Sequence, residues 1–528
     1  MIQTWVVALP ETFNAATYFI DRNLEEGRGG KVAIECGDQR ITYAEVAENV
    51  NRFAGALRRL GVEPEQRVAL ILLDSPAFAY SFFGAIKAGA VPVPLNTLWR
   101  AKDYQYALTD SGARVLVISS ALLNEFSTVD RASLRRLAHV IVVGDQSAVT
   151  RGSPSGNLRF EAILAESSPS FEAEPTHRDG MAFWLYSSGS TGAPKGCVHL
   201  QHDMVVCAES YAQRVLGMRE ADRCFSVAKL FFAYGLGNAL YMPFSVGATS
   251  ILMPEAPAAA RVYEVIERYR PTLFFSVPTN FAMLLAHKAD GREFDLSSVR
   301  HAVSAGESLP EALFHRFKQR FGVEILDAIG STEVLHMFIA NRPGAVKPGS
   351  SGQIIPGYEA RIVDDDDRPV AIGEMGNLLI RGDSTGAYYW NQHEKTRRTI
   401  QGEWIRTGDK YTRDADGYYW YAGRTDDMLK PGGIFVSPVE IESALMNHEA
   451  VLECAVVGRD DADGLSKPFA FVVLRDGATG SPELAAALQQ FVRERLPDYK
   501  RPRGVEFVTS LPKTATGKLQ RYKLRSQG

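Results

Sequence analysis

Residues 187–196 read SSGSTGAPKG, with three glycines, four hydroxyl side chains, a proline and a lysine in ten positions. They follow MAFWLY (181–186), an apolar and aromatic run that predicts a buried strand ending where the glycines begin. Glycine lets a backbone turn its N–H groups toward an anion, and Ser and Thr hydroxyls add donors. Lys195 supplies a point charge suited to phosphate oxygens. The stretch is therefore either a loose turn or a phosphate cradle. It is not a Walker A loop, because Lys195 follows Pro194 and precedes Gly196. The nearest dinucleotide-type turn elsewhere, GLGNAL (235–240), lacks its third glycine and lies in an aromatic-rich segment.

The chain around this stretch is 528 residues long, too long for one hydrophobic core, so two or more domains are expected. Its composition, 45% hydrophobic and 23% charged, is that of an ordinary globular protein. A net charge of -4 gives no reason to invoke nucleic acid or an anionic membrane. The most apolar window, 68–95, is interrupted by Asp74, Pro76 and Lys87, which predicts core elements and no membrane span. The N-terminal MIQTWVVALPETFNAA has no basic region ahead of a long apolar run, so no signal peptide is expected. Five cysteines (36, 197, 207, 224, 454) show neither a C-x-x-C pair nor metal-ligand spacing. Scattered thiols of this kind predict a reducing compartment, the cytoplasm by default.

Strand-like and helical patterns alternate over the first two thirds of the chain. RVALILL leads to AFAYSFFGAIKAGA and VPVPL, and RVLVISS leads to a Leu/Arg-rich helix and HVIVVG. RVYEVIERYR precedes TLFFSV, and FAMLLAHKA precedes LSSVRHAVSAG. Such alternation predicts more than one layered α/β set with largely parallel sheets. From about 350 the texture changes to antiparallel hairpins around Gly and Asp turns, including 409–424. After the polar joint TDDMLKPGG, a helix, two strands, a helix and a strand predict a small α+β domain. The expected division is 1–425 and 426–528. The acidic run Asp364–Asp367 reads as a solvated hairpin turn, with nothing nearby to complete a metal cage. The last 29 residues carry eight basic side chains against Glu506 alone, a solvated face or a collector of phosphates.

SSGSTGAPKG resembles the signature loop of the adenylate-forming superfamily: acyl- and aryl-CoA synthetases, luciferases and peptide-synthetase adenylation domains. Further motifs of that family follow in its order. The resemblance implies a large N-terminal domain of layered α/β sheets with a β-rich subdomain, and a small mobile α+β C-terminal domain. It implies that Ser187, Ser188, Gly189, Ser190, Thr191, Gly192 and Lys195 wrap the β- and γ-phosphates of ATP. SAGE (304–307) resembles the segment lining the adenine site, through Ala305, Gly306 and Glu307. Asp327, Ile329, Gly330 and Ser331 lead into the Thr-Glu motif of GSTE (330–333). There Thr332 would contact the α-phosphate and Glu333 would hold Mg²⁺. Ile329 stands where many relatives carry a tyrosine that stacks on adenine. Asp409 of RTGD would take both ribose hydroxyls, a fitting use of two acceptor oxygens. Arg424 would lie near the nucleotide, Asp426 would be the hinge, and Lys430, Gly432 and Gly433 would line the pantetheine tunnel. PKTATGK (512–518) resembles the loop that carries the catalytic lysine, here Lys518.

The chemistry this implies is ATP-driven acid activation. Adenylation gives a carboxylate AMP as its leaving group, and the CoA thiol then attacks the activated carbonyl. The first step brings two anions together, so Lys518, Lys195 and Mg²⁺ must screen them. KLFFAYGLGN (229–238) lies where relatives place the acid pocket, with Phe232 and Tyr234 as walls and Ala233 and Gly235 leaving room for a ring. That segment and GSTEVLHMF (330–338) closely resemble bacterial benzoate-CoA ligases, whose counterparts of Gly330 and His336 close over the ring. The expectation is a cytoplasmic aryl-CoA ligase acting on benzoate or a small amino- or hydroxybenzoate, as a monomer or homodimer. The alternatives are a stand-alone adenylation enzyme that loads a carrier protein in trans, and a medium-chain acyl-CoA synthetase. A dehydrogenase would need a G-x-G-x-x-G turn followed by an acid, which is missing.

Overall fold

The strand expected at 181–186 does not stop at the glycines. In the computed structural model, which describes residues 7–144, 157–189, 192–287, 293–429, 436–460, 466–513 and 519–525, it runs over Met181–Gly189. It pairs antiparallel with Gly192–Leu200, Ser187 opposite Lys195 and Gly189 opposite Gly192. The glycine-rich stretch is therefore the end of a β-hairpin, and the glycines belong to its strands. A short third strand, Tyr388–Tyr389, lies antiparallel on the other edge, facing Val198 and Cys197. Trp184 and Val198 join one apolar cluster, while Ala182, Phe183 and Leu185 join another. Cover on both faces explains why MAFWLY is apolar throughout and does not alternate.

Beside this sheet lie two larger ones. The first runs, in spatial order, Gln353–Ile354, Met337–Ala340, Ile325–Gly330, His301–Ser304, Leu273–Ser276, Arg223–Ser226, Thr249–Leu252, Val32–Cys36 and Gln39–Thr42. Its central strands are parallel and its edges antiparallel. The second is all parallel: Val91–Pro94, Arg67–Ile71, Val115–Ser119, His139–Val143 and Leu158–Arg159. Both follow the expected alternation of strand and helix. The Leu/Arg-rich helix expected between 120 and 139 is a correction: only short pieces form there, the 3₁₀ turn Ser120–Leu122 running into the single turn Leu123–Phe126, and then the 3₁₀ turn Arg131–Ser133. The Asp130 carboxylate accepts the Ala132 N–H, a local bond that competes with helix growth.

Two helices cement these layers. Tyr43–Arg59 starts at Thr42, whose hydroxyl caps the Glu45 N–H while the Glu45 carboxylate returns to the Thr42 N–H. Its buried face, Val46, Val50, Phe53 and Leu57, recurs at helical spacing and packs on Pro76–Lys87. A Cβ on Gly84 would sit 2.9 Å from the Val50 carbonyl oxygen, so this crossing needs glycine. Lys87, buried at the end of the second helix, is neutralised by Asp21 at 2.6 Å and bonded to Asn51 at 2.6 Å.

The texture change near 350 marks an antiparallel sheet of Tyr358–Val363, Gly376–Gly382, Ile400–Gln401, Trp404–Arg413 and Tyr419–Arg424. The acidic run forms one of its turns. Asp364 accepts the Asp366 and Arg368 N–H groups, Asp365 meets Lys410, and Asp367 pairs with Arg406. Beyond a 3₁₀ turn at Thr425–Asp427, the strands Val451–Asp460, Ser466–Leu474 and Gly504–Phe507 form a separate sheet flanked by Pro438–Met446 and Pro482–Arg493. Its apolar clusters draw only on residues from Leu429 onward. Several C-terminal cations are spent here on ion pairs: Lys500 with Glu440, Arg521 with Glu442 and Lys513 with Glu453. No helix of the described residues is long and apolar enough to cross a membrane.

Candidate functional site

The hairpin sheet and the larger mixed sheet meet at the turn between Ile325–Gly330 and Met337–Ala340. A Cβ on Gly330 would lie 2.4 Å from the His336 carbonyl oxygen, so only glycine lets the turn close this tightly. Leu335 holds φ +68°, a left-handed backbone uncommon for a bulky residue and typical of functional turns. Thr332–Val334 forms a 3₁₀ turn, and the chain returns with Gly330 opposite Met337. Glu333 and His336 are thereby fixed three residues apart.

Glu333 faces the hairpin sheet. Its Oε1 accepts from the Tyr389 hydroxyl at 2.6 Å and from Ser187 Oγ at 3.3 Å, with Lys195 Nζ at 3.6 Å. Lys195 also donates to the Tyr389 oxygen at 3.3 Å. Burial alone would push the Glu333 carboxyl up, but Lys195, Tyr389 and Ser187 outweigh it and hold it below the usual range. The site thus carries an ionised carboxylate with its counter-charge close by. Burial, reinforced by Glu333, pushes the Tyr389 hydroxyl far up, so it stays a donor. Thr332 is positioned from behind. His199 Nε2 is 2.8 Å from the Thr332 carbonyl, and its Nδ1 is 2.8 Å from Asp203 Oδ2, with both side chains fully buried. A carbonyl only accepts, so Nε2 carries a proton.

His336 looks the other way, into a cage of tyrosines. Ring centroids of Tyr211, Tyr234 and Tyr241 lie 5.4, 5.9 and 6.4 Å from it. Neither ring nitrogen makes a well-formed hydrogen bond, and burial pushes the imidazole down to about 3. It is neutral. Tyr211 and Tyr241 hydroxyls and the Asn238 amide are also buried without well-formed partners. The Tyr234 hydroxyl donates to the Ser276 and Val303 carbonyls, each 3.2 Å away. This pins Ala233–Leu236 to the C-terminal ends of two parallel strands, where open α/β sheets bind ligands. The space at Gly235 does not open toward a ring. A Cβ there would meet the Lys229 and Ala228 carbonyls at 2.1 and 2.3 Å, so its role is to let the chain double back. Ala233 is buried, and Phe232 packs on Phe231 at 4.3 Å.

The residues expected on the adenine side gather at the same strand ends. Ala305 is buried and Gly306 turns at φ +88°, while Glu307 accepts from Thr279 Oγ1 at 3.0 Å. Burial lifts the Asp327 carboxyl well above its usual range, and its Oδ1 and the Ser331 hydroxyl lack well-formed partners. Ile329 packs against the main core. Asp409 sits opposite Arg424 on adjacent strands, and the guanidinium donates to its Oδ1 at 3.0 Å and to the Thr407 carbonyl at 2.9 Å. Gly408 takes φ +75°, and a side chain there would strike Arg424.

Ser190, Thr191, Lys430, Gly432, Gly433 and Lys518 lie outside the described residues, and for Ser188, Gly189, Gly192 and Asp426 only the backbone is described. Among the described residues, no group of three or more His, Cys, Asp or Glu side chains is placed to hold a metal. Sequence reasoning missed Tyr389, His199 with Asp203, and the Tyr211, Asn238 and Tyr241 group. The spacing of His199 and Asp203, four apart after a strand, was a usable signal; Tyr389 gave none until its short strand paired.

This arrangement, an ionised carboxylate fronted by a hydroxyl- and lysine-bearing hairpin and backed by a neutral pocket, is that of an acid-activating nucleotide enzyme. The chain belongs to the AMP-binding enzyme family, whose model matches residues 20–390, with the AMP-binding enzyme C-terminal domain at 440–518. It is 50% identical to benzoate–CoA ligase of Thauera aromatica, covering 98% of this chain and 97% of that one. Among solved structures it resembles the anthranilate CoA ligase AuaEII in complex with anthranoyl-AMP, with a TM-score of 0.93, 45% identity and 98% of both chains covered. A benzoate CoA ligase from Burkholderia xenovorans matches with a TM-score of 0.88 and 47% identity, over 97% of this chain and all of that one. The fold is accordingly the adenylate-forming one, a large N-terminal domain followed by a small C-terminal domain.

Proposed function

We propose that the protein is an ATP-dependent aryl-CoA ligase that converts benzoate or a small substituted benzoate to its acyl-adenylate and then to the CoA thioester, releasing AMP and pyrophosphate. The observation that carries this reading is the turn 331–336, with an ionised Glu333 toward the hairpin and a neutral, aromatic-caged His336 three residues on. The chain divides at 425/426 on this reading, with Asp426 as hinge.

In the adenylation step, Ser187, Lys195 and the hairpin backbone grip the outer phosphates, and Asp409 holds the ribose. Ala305, Gly306, Glu307, Asp327 and Ile329 flank adenine. Thr332 meets the α-phosphate, its carbonyl fixed by His199. Mg²⁺ fits this donor set: a single ionised carboxylate suits an ion that keeps waters and takes its remaining ligands from phosphates. When bound, it neutralises charge on the phosphate oxygens. Lys518 brings its ammonium to the carboxylate and α-phosphate. The Phe232–Tyr234 segment and the His336 cage exclude water from the ring, which raises the value of every charge interaction at the carboxylate. The small domain then turns to present Lys430, Gly432 and Gly433 to CoA.

The test is to supply ATP, Mg²⁺, benzoate and CoA and to measure AMP and thioester together. Equal amounts of both are expected. AMP released with phosphopantetheinylated carrier protein and not with CoA would reject the CoA-ligase reading in favour of carrier loading.

A further inference from the structure

The three strands of the hairpin sheet do more than border the nucleotide loop. Ser187 stands opposite Lys195 in the pairing, Cys197 follows two residues later on the same face, and Tyr389 stands opposite Cys197. One side of one small sheet therefore delivers a hydroxyl, an ammonium and a phenol to a single spot. All three meet the same atom, Glu333 Oε1, at 3.3, 3.6 and 2.6 Å. The shortest of these contacts belongs to Tyr389, which is 3% exposed. Its phenol also orders the other groups: Lys195 donates to its oxygen at 3.3 Å and lies 4.4 Å above its ring. Lys195, Tyr389 and Glu333 form a chain in which the ammonium donates to the phenol oxygen and the phenol donates to the carboxylate.

We infer that Tyr389 is a positioning residue for the nucleotide's metal ion. It fixes Glu333 through Oε1, leaving Oε2 as the oxygen that none of the three groups engages, and it keeps Lys195 beside the carboxylate. This rests on the reading that Glu333 holds Mg²⁺. Outer-shell partners of this kind typically set 10- to 100-fold of metal affinity. A tyrosine that merely packed would matter equally to ATP with and without the metal.

The experiment is calorimetric titration of the full chain, without acid or CoA, with ATP in excess Mg²⁺ and with ATP in EDTA. Tyr389→Phe should weaken binding of Mg²⁺-ATP about tenfold and change binding of metal-free ATP less than about twofold. Tyr389→His, which keeps a ring donor, should stay within about threefold of wild type for Mg²⁺-ATP. Equal losses for both forms of ATP, or a histidine variant as impaired as the phenylalanine one, would overturn the inference. Glu333→Gln separates the two readings. If it abolishes the advantage of Mg²⁺-ATP while Tyr389→Phe retains it, the positioning role alone fails. If Glu333→Gln keeps the full advantage, the metal reading of Glu333 fails and the inference with it.

Discussion

Glu333 and His336 share one turn, yet the protein surrounds them in opposite ways. Glu333 keeps its charge although its side chain is only 16% exposed, because three donors from three strands converge on one of its oxygens. His336, 2% exposed, has rings about it and no well-formed hydrogen bond, and it gives up its charge. An ionised carboxylate in low dielectric persists only with partners. A neutral imidazole among tyrosines suits a flat, uncharged ring. The contrast teaches that one half of the candidate site, proposed for phosphate, is built from charge and the other, proposed for the acid, from shape.

The strongest way to break this contrast is to remove Lys518, the cation proposed to join the charged half for adenylation. Lys518→Ala should lower adenylation roughly 10³-fold while sparing thioester formation from supplied acyl-AMP. Equal loss in pyrophosphate release and in the second half-reaction would show that the two steps share the lysine. Next comes Glu333→Gln, expected to cost roughly 10² in kcat/KM for pyrophosphate release whichever acid is used. A loss confined to one acid would place Glu333 in the wrong half. Gly237→Ala probes the shape half, since the added Cβ would lie 2.4 Å from the His336 ring. The KM for benzoate should rise about tenfold with the KM for ATP unchanged, as for an overpacked pocket; a change in the ATP value alone would contradict the division.

The smallest effect is thermodynamic. His336 is held at about 3 against an ordinary value near 6.5, so below about pH 6.5 the unfolded chain binds the proton first. Stability is therefore lost as pH falls from there. Between pH 7.5 and 5 this group accounts for roughly 2 kcal/mol, or about 2 °C in melting temperature. His336→Phe should flatten the pH dependence of the melting temperature by that amount. An unchanged slope would mean the imidazole takes up a proton in the folded protein.

The same contrast governs what the sequence could tell. The strands at 67–71, 115–119 and 273–276 were legible because both sheet faces are covered and all but one terminal residue of each is apolar. The candidate phosphate-binding stretch stood out because such a cradle calls for glycine, hydroxyl and lysine close together along the chain. Tyr389 escaped because its place depends on a two-residue strand, nearly two hundred positions from Lys195, finding its edge. Tyr234 and His336 come together, but Gly235 answers to the Ala228 and Lys229 carbonyls rather than to a ring. Tyr211 and Tyr241 reach the cage from helical turns with no motif to announce them. The segment 120–138 misled because a local cap at Asp130 outcompeted its helical composition.

The most direct test is an acid panel assayed for thioester formation with ATP, Mg²⁺ and CoA, taking kcat/KM for benzoate, 2-aminobenzoate, 4-hydroxybenzoate and octanoate. An aromatic cage closed over a neutral imidazole predicts that at least one of the benzoates exceeds octanoate by roughly 10² or more. Robust turnover of octanoate with none of the benzoates accepted would contradict it.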